Sequence, residues 1–265
     1  MKRPLTFAIL GDSAASGVGD YDESGRPRGW CYHLAQSFHD PIHIISVARP
    51  GAQSREVIEV QLPKVLPYAP DIAALIVGGN DALRNGFSPI VLYQNLRTSI
   101  IEMKKSGTEI LMFQLHDPTE IVPLPRLLQR VLRRRIDAVN EVYERLCKEF
   151  EVVFLNTRSL EGIYSPELWH FDRMHPSSFG HQTIAHHFRE LLAVRGWKFN
   201  QMRPALSRST ARKDKMLWML RNATPWFLKR SVDLLPAALV LMIYEAVRLS
   251  FQKVHNLLYP SGLSK

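Results

Sequence analysis

The stretch "FAILGDSAASG", Phe7 to Gly17, runs four apolar residues straight into Gly-Asp-Ser near the start of a chain of 265 residues. Two readings of the junction compete. Gly, Asp and Ser are common turn formers, and a tight turn is the plain one. In the other, a buried strand displays Ser13 at its end, where a neighbouring base can activate the hydroxyl. The rest of the chain decides between them.

Working outward, five short apolar segments read as strands: Thr6 to Leu10, Ile42 to Ala48, Ile72 to Val77, Glu109 to Gln114 and Val152 to Leu155. Each is rich in β-branched or aromatic residues, and most are bounded by Gly, Pro, Asp or Asn. Their near-continuous apolarity predicts strands covered on both faces. Helical patterns lie between them. "WCYHLAQSF" is short, and "REVIEVQLPKVL" carries a proline expected to bend or end it. "VLYQNLRTSIIEMKKSG" stops at Gly107, and "RLLQRVLRRRIDAVNEVYERLCKEF" is long and amphipathic. "SSFGHQTIAHHFRELLAVRG" is expected to start from Ser177 or Ser178 as N-cap. Strand and helix alternate, which predicts an α/β fold with a parallel five-stranded sheet between two helical layers.

In such a sheet the ligand crevice lies beyond the carboxyl ends of the strands. The five loops that follow the strands hold "GDSAASG", "RPGAQS", "GGNDALR", "HDPTEIVPLP" and a segment ending "HFDRMHPSS". Together they offer Ser13, Gly51, Asn80, Asp172 and His175. These residue types suit acyl transfer. A serine needs a base, a histidine titrates near neutrality, and a carboxylate fixes the imidazole tautomer. The N–H groups of Ser13 and Gly51 and the amide of Asn80 can hold an oxyanion. Asp172 and His175 stand three apart, and Pro176 biases His175 away from helix. Asp12 and Asp81, beside these motifs, are expected to hold loops through backbone contacts.

"GDS" near the start, a glycine after the second strand, "GGND" after the third and "DRMHP" near residue 175 resemble the SGNH, or GDSL, hydrolase superfamily over roughly residues 5 to 195. The resemblance implies a flavodoxin-like three-layer sandwich. It makes Ser13 the nucleophile, His175 the base and Asp172 its orienting carboxylate, with Ser13, Gly51 and Asn80 as oxyanion donors. The second block departs from the family pattern, reading "VARPGAQS" with no Asn shortly before its glycine. Ala15 breaks the Gly-x-Ser-x-Gly elbow of the α/β-hydrolases. The implied activity is cleavage of carboxylic esters through an acyl-enzyme, on a small-molecule or lipid-like substrate. Two other readings stand beside it: a catalytically silent scaffold on the same fold, and a nucleotide binder in which "GDSAASG" cradles phosphate.

Charge divides the chain. Residues 196–265 hold 12 Lys and Arg against 3 Asp and Glu, the whole of the net +9, while residues 1–195 are neutral with 22 of each sign. The first part therefore has no footprint for nucleic acid. We expect a hydrolase domain over 1–196, a basic linker over 197–215 and an amphipathic helical extension over 216–265. In the extension, Glu245, Arg248, Gln252 and Asn256 form a narrow polar stripe on a broadly apolar helix. Trp218 and Trp226 with Arg221, Lys229 and Arg230 suit an interfacial segment. The extension is expected to meet the catalytic domain, a second copy or a membrane surface. Two cysteines suggest no disulfide framework. "MKRPLTFAIL" lacks a cleavage site, which predicts a cytoplasmic or membrane-peripheral protein.

No metal-ligand spacing joins His181, His186 and His187, and neither a P-loop nor a GxGxxG occurs, so no metal or cofactor is expected. "RVLRRRID" is expected to be a solvated helix face. Cys31 and Cys147 are expected to be packing positions. Two loops, Val18 to Gly29 and His116 to Arg126, are expected to shape the substrate pocket. Ile121, Val122, Leu124 and Leu127 are available either to an acyl chain or to the core.

Overall fold

The computed structural model describes residues 4–122 and 124–200, and beyond them Val240, Ile243, Val247, Ser250 and Phe251. Five parallel strands stand in the order β2-β1-β3-β4-β5: β1 Leu5–Gly11, β2 Ile42–Ser46, β3 Ile72–Ile76, β4 Glu109–Phe113 and β5 Val153–Leu155. This is the flavodoxin-like arrangement, with its switch point between β1 and β3. Gly11 stands opposite Ile76 there. β3 is buried throughout. β2, at the sheet edge, is only half-covered, with His43 and Ser46 exposed. The expectation of full coverage fails for this strand because the sheet ends there and the helical layers do not close over it.

Helices α1 (Ser13–Ser16) and α2 (Gly29–Ser37) follow β1, and α3 (Ser54–Glu56) and α4 (Leu62–Val65) follow β2. Next, α5 (Gly79–Ala82) and α6 (Pro89–Lys104) follow β3, α7 (Arg126–Glu149) follows β4, and α8 (Ser178–Val194) follows β5. On one face α2 packs on α8, where Trp30 stacks on Phe188 with centroids 4.7 Å apart and meets Phe113 of β4 edge-on. On the other, α6 packs on α7. Apolar positions at three- and four-residue steps, among them Ile136, Val139, Tyr143 and Leu146, give α7 its buried face. Ser177 caps α8 by accepting from Gly180 N–H.

Pro63 and Pro67 do not end the helical run after β2. A π turn, Val57–Gln61, closes on Leu62 N–H donating to Val57, and α4 then carries Pro63 into a 3₁₀ turn, Leu66–Tyr68. The wider turn absorbs the missing donor and the ring. It also points Gln61 inward. The Gln61 amide accepts from Gly11 N–H (2.7 Å) and donates to Gly11 C=O (3.0 Å) at the end of β1.

The basic run on α7 is only partly a solvated face. Arg133 and Arg134 are exposed, but Arg133 binds Asp117, Thr119 and Glu120 in the loop after β4. Arg135 is half-buried and donates to the carbonyls of Ala82 and Arg84 after β3. Among the described residues no helix is long and apolar enough to cross a membrane. Of the extension, Val240, Ile243, Val247, Ser250 and Phe251 are helical and exposed. Of the expected basic linker, residues 197–200 are described and lie against α2, with Trp197 and Phe199 on Phe38 and Asn200 donating to Phe38 C=O. The rest of the linker, the polar stripe, Trp218 and Trp226 lie outside the described residues.

Tyr143 of α7 is fully buried, and its hydroxyl accepts from Val77 N–H (3.0 Å) and donates to Val77 C=O (2.7 Å). Replacing Tyr143 by Phe leaves two buried backbone groups unpaired. The expected loss is about 2–4 kcal/mol, read as a lower urea midpoint at an unchanged denaturant slope.

Candidate active site

Gly11 brings the chain from β1 into the site. Its φ is +128°, and a Cβ there would stand 1.8 Å from the carbonyl oxygen of Ile76, so only glycine fits between β1 and β3. Asp12 follows as N-cap of α1, its carboxylate accepting from Ala14 N–H at 3.0 Å. Ser13 is thus the first residue of a one-turn helix, held at the switch point. Trp30 Nε1 donates to Ala14 C=O and fixes the turn from α2.

His175 arrives from the far end of the domain. Leu168 C=O accepts from Ser177 N–H and His175 C=O from His170 N–H, closing a loop that carries Asp172 and His175. Asp172 Oδ1 accepts from the N–H groups of Met174 and His175. Its Oδ2 lies 2.8 Å from His175 Nδ1, and His175 Nε2 lies 2.7 Å from Ser13 Oγ. A continuous Asp–His–Ser relay results. Gly19 allows the loop after α1 to lie against this segment, since a Cβ on it would stand 2.0 Å from Pro176 C=O.

Gly51 and Asn80 line the same cavity as Ser13 and His175. Asp81 holds their two loops together, accepting from Ser54 N–H and from Ser54 Oγ (2.6 Å), while Asn95 donates to Ser54 Oγ. Asn80 Nδ2 donates to Asp12 Oδ2 at 3.3 Å. Both aspartates flanking the motifs therefore hold loops, as their positions suggest. Four of the five sequence-selected residues, Ser13, Gly51, Asn80 and His175, line one cavity, and Asp172 stands behind His175.

The two carboxylates at the site differ electrostatically. Burial lifts Asp12 to about 6, against the pull of Ala14 N–H. Burial acts on Asp172 in the same direction, but hydrogen bonds from His170 and His175 outweigh it and hold the carboxyl well below its usual range. His170, whose Nδ1 lies 3.4 Å from Asp172 Oδ2, is a partner that the motif spacing did not single out. It stands two residues before Asp172 and touches it only through the fold of the loop. Among the described residues no group of three or more potential ligands could hold a metal ion.

The cavity measures about 430 Å³ and takes wall residues from all five post-strand loops. Val18, Tyr21 and His116 come from the two loops expected to shape it. Ile121, Val122, Leu124 and Leu127 do not line it. The loop after β4 contributes no residue beyond Pro118, where Asp117 caps the 3₁₀ turn Pro118–Glu120 and Arg133 ties it down. The apolar wall is instead built by Leu115, Leu132, Ile136, Ile163, Trp169 and Ile184. These positions read as core or as loop in the sequence, and only their convergence marks them.

Comparison with known proteins gives a consistent result. A sequence profile of the GDSL-like lipase/acylhydrolase family matches residues 9–183. The chain is 26% identical over 203 residues to thioesterase 1/protease 1/lysophospholipase L1 of Escherichia coli (strain K12), covering 76% of this chain and 85% of that protein. It is 29% identical over 178 residues to an arylesterase of Vibrio mimicus, covering 67% and 82%. The structure of Axe2, an acetylxylan esterase from Geobacillus stearothermophilus, matches 77% of this chain and all of its own with a TM-score of 0.57 at 18% identity, a likeness of fold.

His181 ties the site to α8. It is fully buried, accepts from Trp30 N–H at Nδ1 (3.2 Å) and donates from Nε2 to Val18 C=O (3.0 Å). Burial pushes its imidazole down to about 4. Between that value and an unfolded value of about 6.5 the unfolded chain binds the extra proton, so stability falls as pH drops through this window. The His181→Gln variant keeps a donor and an acceptor. Its stability is expected to fall less steeply between pH 6.5 and 4, by about one proton's worth of slope in urea titrations across that range.

Proposed function

We infer that this chain, which belongs to the GDSL-like lipase/acylhydrolase family and is a hydrolase of ester bonds, cleaves carboxylic esters through an acyl-enzyme on Ser13. The observation that carries the reading is the unbroken relay from Asp172 through His175 to Ser13 Oγ, with contacts of 2.8 and 2.7 Å.

In the first step Ser13 Oγ attacks the ester carbonyl carbon while His175 Nε2 takes the hydroxyl proton. Negative charge moves to the carbonyl oxygen, which accepts from Ser13 N–H, Gly51 N–H and Asn80 Nδ2. The C–O bond to the alcohol then breaks, and His175 returns its proton to the leaving oxygen. In the second step His175 takes a proton from water, whose oxygen attacks the acyl carbon. The intermediate expels Ser13 Oγ, which recovers its proton, and the carboxylic acid leaves. Asp172 holds the imidazole in one tautomer and stabilises its charged form. Asp12 steadies the Asn80 amide. The residues supply every proton transfer in this scheme.

We propose that residues 1–196 form this hydrolase domain and that the basic linker and extension form its contact to a membrane surface or a second copy. Val240, Ile243, Val247 and Phe251 support the extension's role. They recur at three- and four-residue steps, so they share one helix face, and they are 49 to 72% exposed.

Fluorophosphonate labelling followed by peptide mapping tests the chemistry. We expect one adduct on Ser13, none in Ser13→Ala, and turnover of ester substrates that the variant lacks. Folded protein that takes no label and turns over no ester supports the silent scaffold instead. Asn80→Ala is expected to keep its label while kcat falls on the order of 10²–10³-fold, the usual cost of one oxyanion donor. An unchanged kcat removes Asn80 from the mechanism.

A further inference from the structure

Two residues in the wall of the cavity beside Ser13, Gln114 and His116, each carry a buried side-chain atom that has no hydrogen-bond partner among the described residues and that ester cleavage itself does not use. His116 follows β4 and stands in the cavity wall with its ring 3.9 Å, centroid to centroid, from that of Trp169. Its Nε2 is buried and has no hydrogen-bond partner among the described residues. A buried polar atom left in this state costs free energy, and such atoms in native structures call for a partner.

The surroundings narrow what that partner is. Much of the wall is apolar, with Leu115, Leu132, Ile136, Ile163 and Ile184 lining the same space. Tyr21, Gln114 and Thr157 add polar side chains; of these, Gln114 reaches toward Glu144 through Nε2 at 3.5 Å and Thr157 Oγ1 donates to Gln114 C=O. Asn140 clamps Leu115 by accepting from its N–H and donating to its C=O, both at 2.8 Å, so the chain that bears His116 is fixed. Burial pushes the His116 imidazole down to about 3, which keeps it neutral near pH 7. A neutral ring does not attract an anion. It presents either an N–H or a lone pair at Nε2, and a hydroxyl group can answer both.

We propose that the substrate's acyl part carries a hydroxyl group that hydrogen-bonds to His116 Nε2, so that His116 selects hydroxyacyl esters. The inference rests on the reading of Ser13 as the ester-cleaving serine. The acyl part is assigned to this cavity because it stays bonded to Ser13 through both chemical steps, whereas the alcohol must leave after the first. The apolar side chains hold its chain, and His116 Nε2 reads its substituent. A site built to hydrogen-bond a hydroxyl discriminates against the analogue that lacks it, because its own polar atom is then left unpaired.

The test compares kcat/KM of the full chain for nitrophenyl hexanoate and its alpha-, beta- and omega-hydroxy analogues. At least one hydroxy ester is expected to be preferred on the order of tenfold. His116→Phe keeps an aromatic ring against Trp169 and is expected to bring that ratio near one. His116→Gln, which restores a donor and an acceptor, is expected to keep part of it. Hexanoate esters with the hydroxyl moved to the alcohol are expected to show no preference that depends on His116.

Equal rates for all the acyl analogues in the wild-type protein overturn the proposal, as does a preference that survives in His116→Phe or appears only on the alcohol side. Fluorophosphonate labelling of Ser13 runs beside each assay. Wild-type protein that is neither labelled nor active counts against the hydrolase reading. Protein that is labelled and active without preference counts against the His116 assignment alone. If His116→Phe takes no label, the wild-type ratio and His116→Gln decide.

Discussion

Parallel strands that end at a crevice leave backbone N–H and C=O groups with no neighbouring strand to pair with, and the whole site depends on how these are satisfied. Where the loops diverge, the ladder stops, yet the groups are buried. Side chains take over at each point. Gln61 pairs both groups of Gly11, Tyr143 both groups of Val77 and Asn140 both groups of Leu115. Thr157 Oγ1 donates to Gln114 C=O at 2.6 Å. Each clamp fixes the direction in which a strand hands its chain to a loop. The crevice can then stay open without unpaired backbone at its floor, and Ser13, Asn80 and His116 all leave from clamped positions.

The same burial that demands these clamps sorts the charges. Asp172 receives two backbone N–H groups and lies against two imidazoles, and it is ionised at any working pH. Asp12 has fewer donors and deeper burial, and its charge is disfavoured. The contrast suits their places. Asp172 backs His175, which becomes cationic in the proposed mechanism, whereas Asp12 sits beside Asn80, where the same mechanism develops a negative charge that a fully ionised neighbour would oppose. His116 and His181 are kept neutral by burial. They add hydrogen-bonding capacity to the site without adding to its field.

Much of this was legible in the sequence because local rules suffice for it. Strand-length apolar runs and helix periodicity give the layers, and turn-forming residues after each strand give the crevice. Ser13, Gly51 and Asn80 sit shortly after the strands that precede them, and Asp172 and His175 sit just before α8, so their positions along the chain translate directly into positions at the crevice. What stayed hidden depends on contacts between distant segments. The π turn that carries the chain past Pro63 also brings Gln61 to Gly11, fifty residues away. Arg133 and Arg135 look like a solvated run until the loops after β3 and β4 are seen to close on them. His170, His116 and His181 carry no motif, and their places at the site come from burial and from contacts with distant or loop-folded partners.

The sheet divides the work between its two halves. The ends of β1, β2 and β3 bring Ser13, Gly51 and Asn80, the proposed nucleophile and donors, into the narrow switch point. The apolar wall comes from β4, from the segment after β5 and from the neighbouring helices α7 and α8, and His175 is delivered across the gap from that side. An apolar wall does more than accommodate a chain. It excludes water from the donors and strengthens their interaction with a developing oxyanion, since charge interactions weaken in proportion to the local dielectric. Selectivity and rate therefore draw on the same surface. A substitution in the wall that admits water is expected to weaken the donors it never touches, whereas one that only reshapes the wall, as at His116, alters which acyl group is held there.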